Sequence, residues 1–515
     1  MSNSIKISEM TPAEQLNTTD LLMISQQETG TETEFHTKSA TIGNLADEVV
    51  TSIQFTNDLN TNDKTIAGAI NEVAAGGGGT SLNTVTVGTD SSCDYVCDGV
   101  ADNIQFQQAI NTISSRGGGT VLVKGGEYTF NACVNVLSYV HLEMQKDTVI
   151  TLDDQQIWTL PSTTTAGATT ITVSDDILDY IIVGQEVGFM NNETGYLIEG
   201  ESAHRDFVTA INTTNKTITL YYGCPEDLTF TKMCTLTSGF SMIEFMQGNG
   251  NDILIRNGIL NGNIENTTVW INDMCQNGII IGNQKNVVID GVEIYGFKFQ
   301  GIHVTANSPL VSTTRKIDQV DNYTIVKNCY IHNTGFAGIC IDSSIWVKVI
   351  DCNVTNIGGQ GIQLVECCYV DVINCVSTKN DYAGIRAVKS YGVGYNYNFI
   401  GNKTSDNAVG FGFASINSSI MSNCISEEDT IGIYFEGDTD KSIISNATII
   451  GATIGIKEDA TASNNIGVGL NFVNNSTNFN ISTMTIINNN SNVVFEKHSD
   501  TVIYVKDMND LILEK

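Results

Sequence analysis

At 515 residues and 41% hydrophobic content, the chain is long enough for about three domains and apolar enough to build real cores, which excludes a disordered polymer. Its 25 basic residues against 57 acidic ones leave a formal charge of -32, which argues against nucleic acid or anionic lipid as the main partner, because phosphate binding needs clustered Lys and Arg. No stretch reaches the roughly 18 apolar residues that span a bilayer, and no apolar run follows the first six residues, so neither membrane insertion nor a signal peptide is expected.

Residues 1–79 differ in character from the rest. Ile7-Ser-Glu-Met-Thr-Pro and Thr19-Asp-Leu-Leu-Met-Ile-Ser precede a segment, Lys64 to Val73, in which Ile66, Ala69, Ile70 and Val73 repeat at helical spacing. So short a helix is marginal alone, and its stripe suits a bundle with copies of itself. Gly76 to Gly79 form a flexible break. In the next segment, residues 80–156, Asp98-Gly-Val-Ala-Asp-Asn precedes Phe106, Ala109, Ile110 and Ile113 at helical spacing, with Asp102 as the expected N-cap. Gly117-Gly-Gly-Thr and an alternating strand ending at Phe130 follow. Residues 157–245 carry short alternating strands such as Thr170-Ile-Thr-Val and Lys216-Thr-Ile-Thr-Leu, and predict a small inserted β-domain.

From about residue 250 the sequence repeats, as a solenoid does. Glycine followed by alternating apolar residues occurs at Gly278, Gly301, Gly338, Gly361, Gly384, Gly410, Gly432 and Gly455, with offsets of 23, 37, 23, 23, 26, 22 and 23. Nine residues before the glycine stand Val292, Cys329, Cys352, Cys375 and Gly401, and eight before it Cys424 and Ala447. Small, soft residues in one column predict a crowded interior corner, so most of the 13 cysteines are read as buried thiols. Cys93 and Cys97 lack a second pair at zinc-ligand spacing, so neither a metal nor a cofactor is expected. Asn328, Asp351, Asn374, Asn423 and Asn446 precede that column and tolerate the left-handed backbone a corner needs. The coils run over residues 246–490, and residues 491–515 form a short strand tail.

The order of Asp-Gly, helix, Gly-Gly-Gly-Thr and aromatic-ended strand resembles the opening segment of the pectate-lyase-like superfamily, and the asparagine column resembles the ladder at a β-helix turn. The N-terminal stretches resemble the anchoring modules of phage tail fibres. Over nearly the whole chain the sequence resembles bacteriophage tail spikes. The resemblance implies an all-β, right-handed parallel β-helix and a homotrimer on the virion tail. It also implies attachment to tail or baseplate proteins through the N-terminal module, and recognition, with or without cleavage, of a bacterial surface glycan. A non-catalytic receptor-binding fibre and a cellular polysaccharide lyase are the alternatives.

Period-two alternation turns one column outward, Ile280, His303, Cys340, Gln363, Arg386, Gly412, Tyr434 and Lys457, and two residues on a second, Thr305, Asp342, Val365, Val388, Ala414, Glu436 and Asp459. Sugars offer C–H faces and hydroxyls, so aromatic, carboxylate and amide groups are sought. Trp346 and Tyr369, eight residues after their glycines, point outward on adjacent rungs. Glycoside hydrolysis needs two carboxyls, for which the candidate pairs are Asp342 with Glu366 and Glu436 with Asp459. His303, Gln363, Arg386, Tyr391 and Tyr434 complete the candidate binding set, and Tyr395 and Tyr397 join Tyr391 as a second aromatic platform beside Arg386. The longer loop between Gly301 and Gly338 carries Arg315, Lys316 and Asp318.

Overall fold

The computed structural model describes residues 21–27, 35–41, 83–190, 206–224, 227, 232–235, 241–245, 250–266, 276–282, 284–305, 321–389, 395–481 and 484–487. The expected helix at 64–73, the glycine break, the loop around Arg315, Tyr391 and the tail at 491–515 lie outside these residues. In the N-terminal unit, residues 1–82, Leu21–Gln27 pairs antiparallel with Phe35–Thr41.

The described strands between residues 84 and 487, apart from those between 157 and 235, build a right-handed parallel β-helix of three sheets. In a representative rung Gln360–Val365 lies in the first sheet, Cys368–Ile373 in the second and Val376–Thr378 in the third. These sheets hold 11, 14 and 11 strands, each paired in register with the strand one rung away. Rungs rise by about 4.8 Å, so each side chain meets its equivalent on the next rung. One apolar column fills the interior from Val85 to Met484.

The repeated glycines have a steric cause. A Cβ on Gly338 or Gly361 would stand 2.7 Å from the carbonyl oxygen of the next glycine in the column, and on Gly432 2.7 Å from that of Gly455. No side chain fits there without moving the next rung.

The corner between the second and third sheets explains the other two columns. Asn328, Asp351, Asn374, Asn423 and Asn446 hold φ between 51° and 54°. Just inside, Cys329, Cys352, Cys375 and Cys424 are buried, each thiol donating to backbone carbonyls, as Cys352 Sγ does to Ile350 O at 3.4 Å. Burial pushes the Cys424 thiol up to about 11. One position differs from expectation. Gly401 occupies the left-handed corner at φ 66°, and Asn402 takes the interior place, its Oδ1 accepting Cys375 N at 2.8 Å. The rung of 26 residues shifts the column by one against a glycine-based count.

At the N-terminal end, Asn103–Ser115 forms the capping helix, with Phe106, Ala109, Ile110 and Ile113 buried against the first rungs. Asp102 stands before it but does not cap it. Its carboxylate accepts Asp98 N and Gly99 N at 3.1 and 3.0 Å and Thr129 N at 2.9 Å, tying the preceding loop to a strand.

Between Thr148–Leu152 and Ile259–Asn261, neighbours in the third sheet, the chain makes a separate six-stranded antiparallel sheet from strands between Ile157 and Thr235. Its core, including Ile171, Val187, Val208, Ile218 and Met233, is distinct from that of the coils.

The coils also contain a buried polar column, Asn380, Asn407 and Asp429, lined by Ser377, Thr404 and Ser426. Asp429 accepts Thr404 Oγ1 and Ser426 Oγ at 2.7 Å, and Asn407 N and Nδ2 at 2.9 and 2.8 Å. Burial outweighs these bonds and raises its carboxyl above the ordinary 3.8. The native state therefore binds this proton more tightly than the unfolded chain, and the Asp429 contribution is lost as pH rises through the elevated value. Asn fits the column, since Asn380 Nδ2 already donates to Ser377 Oγ at 3.1 Å. Asp429→Asn should therefore flatten the loss of unfolding midpoint above the ordinary aspartate range, measured by denaturant titration at several pH values. Gly361→Ala should lower the midpoint by roughly 1–3 kcal/mol equivalent, because its methyl meets Ser377 Oγ and the Gly384 carbonyl.

Candidate functional site

On the second sheet the register aligns Trp346, Tyr369 and Asn396 on successive rungs. All three have left-handed backbone, with φ of 62°, 55° and 60°. For Asn that conformation is cheap, whereas for Trp or Tyr it costs on the order of 1–3 kcal/mol and persists where the surroundings impose it. The rings are 44% and 38% exposed and stack at 4.4 Å between centroids, 10° between planes. Tyr323 lies parallel to Trp346 at 6.5 Å, and Tyr395 meets Tyr369 edge-on at 5.5 Å.

The parallel stack changes the chemistry on offer. Trp346 and Tyr369 cover a face of each other, so a ligand beside the column meets ring edges, the positive rim of the aromatic quadrupole, more than flat faces. Next to the rings runs a polar column, Lys348, Asp371 and Asn398, aligned by the same register. Lys348 Nζ lies 3.2 Å from Asp371 Oδ2, and Asn398 Nδ2 donates to Asp371 Oδ1 at 2.8 Å. With Tyr323 and Ile325 these residues line a cleft of about 360 Å³. Edges suited to hydroxyl oxygens, an amide, a carboxylate and an ammonium make a surface for a polyhydroxylated ligand.

A second cluster lies on the first sheet. Arg386 crosses the bare rung at Gly412 and reaches Glu436, Nη2 to Oε2 at 2.6 Å, while its guanidinium lies 5.0 Å from the Tyr382 ring centre. From the Glu436 rung, the Tyr434 hydroxyl donates to Asp459 Oδ1 of the next rung at 2.9 Å, and Gly437 N donates to Oδ2 at 3.1 Å. Lys457 sits 4.2 Å over the Tyr434 ring. Burial first, and then Asp459, push the Tyr434 phenol upward. Glu436 and Asp459 are thus held by the chain's own donors.

The other candidates divide. The expected outward column keeps its register, but Ile280, His303 and Cys340 are buried, and only from Gln363 onward do its side chains reach the surface. Gln363 Oε1 accepts Cys340 Sγ at 3.7 Å. Asp342 faces Val365 rather than Glu366 and accepts Ser343 Oγ at 2.8 Å. Glu366 turns a left-handed corner at φ 52° and is 1% exposed. Tyr397 is not a platform residue. It is buried, and its hydroxyl accepts Cys367 N at 3.0 Å. Tyr395 packs edge-on against Tyr369 of the Trp346 column, on the second sheet, while Arg386 lies on the first.

Tyr323, Lys348, Asp371 and Asn398 escaped sequence reasoning. The last three were within reach, since each stands two residues beyond Trp346, Tyr369 or Asn396. Tyr323 was hidden by a register shift between Asp321 and Thr324. Among the described residues no group of three or more His, Cys, Asp or Glu side chains is arranged to hold a metal. Likewise, among them no helix is long and apolar enough to cross a membrane.

Residues 253–412 match the family of the right handed beta helix region, and no curated protein matches the chain. The fold is similar to that of the tailspike protein of E. coli bacteriophage HK620, solved in complex with pentasaccharide. The identity is 12% and the TM-score 0.50, over 86% of this chain and 69% of that one. A single-residue variant of that tailspike gives 13% identity and a TM-score of 0.51, over 86% and 70%. The A-module of the mannuronan C-5 epimerase AlgE4 of Azotobacter vinelandii is similar at 14% identity and a TM-score of 0.46, over 78% and 99%.

The aligned Asn396 shows what the column position favours energetically. Trp346→Asn and Tyr369→Asn should keep or raise the unfolding midpoint, because relief of left-handed strain offsets the lost stacking. Thermal and denaturant unfolding of each variant beside the wild type checks this.

Proposed function

We propose that the chain is a bacteriophage tail spike or tail fibre subunit that adsorbs to a bacterial surface polysaccharide along the Tyr323–Trp346–Tyr369 column. The observation that carries this reading is the column itself: two large aromatic side chains kept exposed on strained backbone beside a cleft of hydroxyl-binding groups. The similarity in fold to a tailspike solved with a pentasaccharide supports it. Since the net charge of -32 repels polyanions at long range, a neutral polymer is the favoured class.

Assembly as a homotrimer is supported by a stripe on the second sheet. Ile420, Ile443 and Ile466 align on consecutive rungs, the first two exposed, and Ile400 and Val468 are exposed nearby. Exposed apolar residues repeated rung after rung suit a second copy lying alongside. In this reading residues 1–79 attach the subunit to the virion tail.

Adsorption is favoured over cleavage by the state of the carboxylates. Glu436 is engaged by Arg386 and Asp459 by Tyr434 and Gly437, while Asp342 and Glu366 do not oppose each other in the register. Affinity electrophoresis of the full chain in gels containing purified bacterial surface polysaccharides tests the proposal. One neutral polymer should retard the wild type, and Trp346→Asn with Tyr369→Asn should weaken that binding about tenfold or more. Retardation by none of the polymers overturns the proposal, and release of new reducing ends that Glu436→Gln abolishes would make the chain a depolymerase.

A further inference from the structure

The inserted sheet carries a second exposed aromatic feature. Tyr221 and Tyr222, at the end of the strand Thr217–Leu220, are 65% and 56% exposed. Their backbone is nonetheless tightly fixed. Asp206, 3% exposed, accepts Phe207 N, Tyr221 N and Tyr222 N on Oδ1 at 2.7, 2.9 and 2.9 Å. Its Oδ2 accepts Gly223 N at 2.7 Å. Gly223 has φ 94°, and a Cβ there would stand 3.1 Å from the carbonyl oxygens of Gly167 and Ala168. Cys224 N donates to Ala168 O at 3.0 Å, and Gly167 N to Cys224 O at 2.8 Å, seating the tip on the neighbouring loop.

A buried carboxylate that gathers four backbone N–H groups makes a costly arrangement whose visible product is two tyrosines held out in water on a fixed backbone. The rings pack edge-to-face at 4.7 Å and 85°. That geometry differs from the Trp346 column in the respect that matters for sugars. An edge-to-face pair leaves ring faces open, and two perpendicular rings make a corner in which a pyranose C–H face lies on one ring while a phenol hydroxyl reaches its hydroxyls.

We infer that Tyr221 and Tyr222 form a second sugar-binding point, on the inserted domain. The inference rests on the reading of this chain as a binder of neutral surface polysaccharide, but not on the Trp346 cleft. Two points on one chain hold a polymer with an avidity that a short oligosaccharide cannot reach.

The test uses the full chain and the neutral polysaccharide that retards it in affinity electrophoresis. The Tyr221→Ala/Tyr222→Ala variant should bind the polymer about tenfold more weakly, with its unfolding midpoint unchanged. The Tyr221→Phe/Tyr222→Phe variant should restore most of the binding, because the ring faces remain. With Trp158 and Trp270 replaced by Phe, so that Trp346 is the chain's one tryptophan, quenching of its fluorescence by a short oligosaccharide of the same polymer should be unchanged in both. If the double alanine variant is retarded like the wild type while Trp346→Asn is not, the tyrosine site falls and the cleft stands. If no polymer retards the wild type, both fall.

Discussion

The parallel ladder makes the nearest neighbour of nearly every side chain its own equivalent one rung away, about 4.8 Å off. A residue type is then tolerated at a position according to how it packs against a copy of that position. Glycine recurs in the first sheet because the next glycine's carbonyl oxygen occupies the space of a Cβ. Cysteine recurs at the interior corner because a small, polarizable group with a weak donor fits beside backbone carbonyls of its own and the preceding rung. Asparagine and aspartate recur where the chain turns left-handed. The same rule builds the candidate site, since Trp346 and Tyr369 are neighbours for the reason that Cys352 and Cys375 are.

Repetition also shows where polarity replaces apolar packing. In the column that holds Ile357 on one rung, Asn380, Asn407 and Asp429 follow on the next three, all inside. Each buried amide or carboxylate must be matched by donors and acceptors: Asn380 bonds Asn407 and Asn407 bonds Asp429 across rungs, and the hydroxyls of Ser377, Thr404 and Ser426 complete the set. Such a column sets register more strictly than an apolar one, because a slip by one residue leaves a buried polar group unmatched.

Much of this was legible from spacing. The rung period, the outward direction of Trp346 and Tyr369 and the left-handed corner all follow from residue type at fixed offsets. What escaped did so for identifiable reasons. Alternation gives the direction of a side chain but not what covers it, so His303 and Cys340 were expected at the surface and are buried. A rung of irregular length moved Gly401 into the corner and Asn402 into the interior. A register shift concealed Tyr323. Arg386 was read beside the tyrosines of its own loop, yet its reach spans a rung to Glu436, because Gly412 offers no side chain to stop it at the next one.

The two aromatic features express one economy by opposite means. In the cleft, backbone strain at Trp346 and Tyr369 places rings where an asparagine would rest more easily, and their mutual stacking recovers part of that cost while hiding ring faces. On the inserted sheet, a buried carboxylate fixes the backbone and leaves the ring faces of Tyr221 and Tyr222 open. Neither arrangement is what folding alone would select, because a polar surface residue would satisfy each position at less expense. Aromatic side chains on a fixed backbone lose less entropy on binding, and for the proposed polysaccharide ligand, which offers small gains per sugar many times over, that saving weighs heavily.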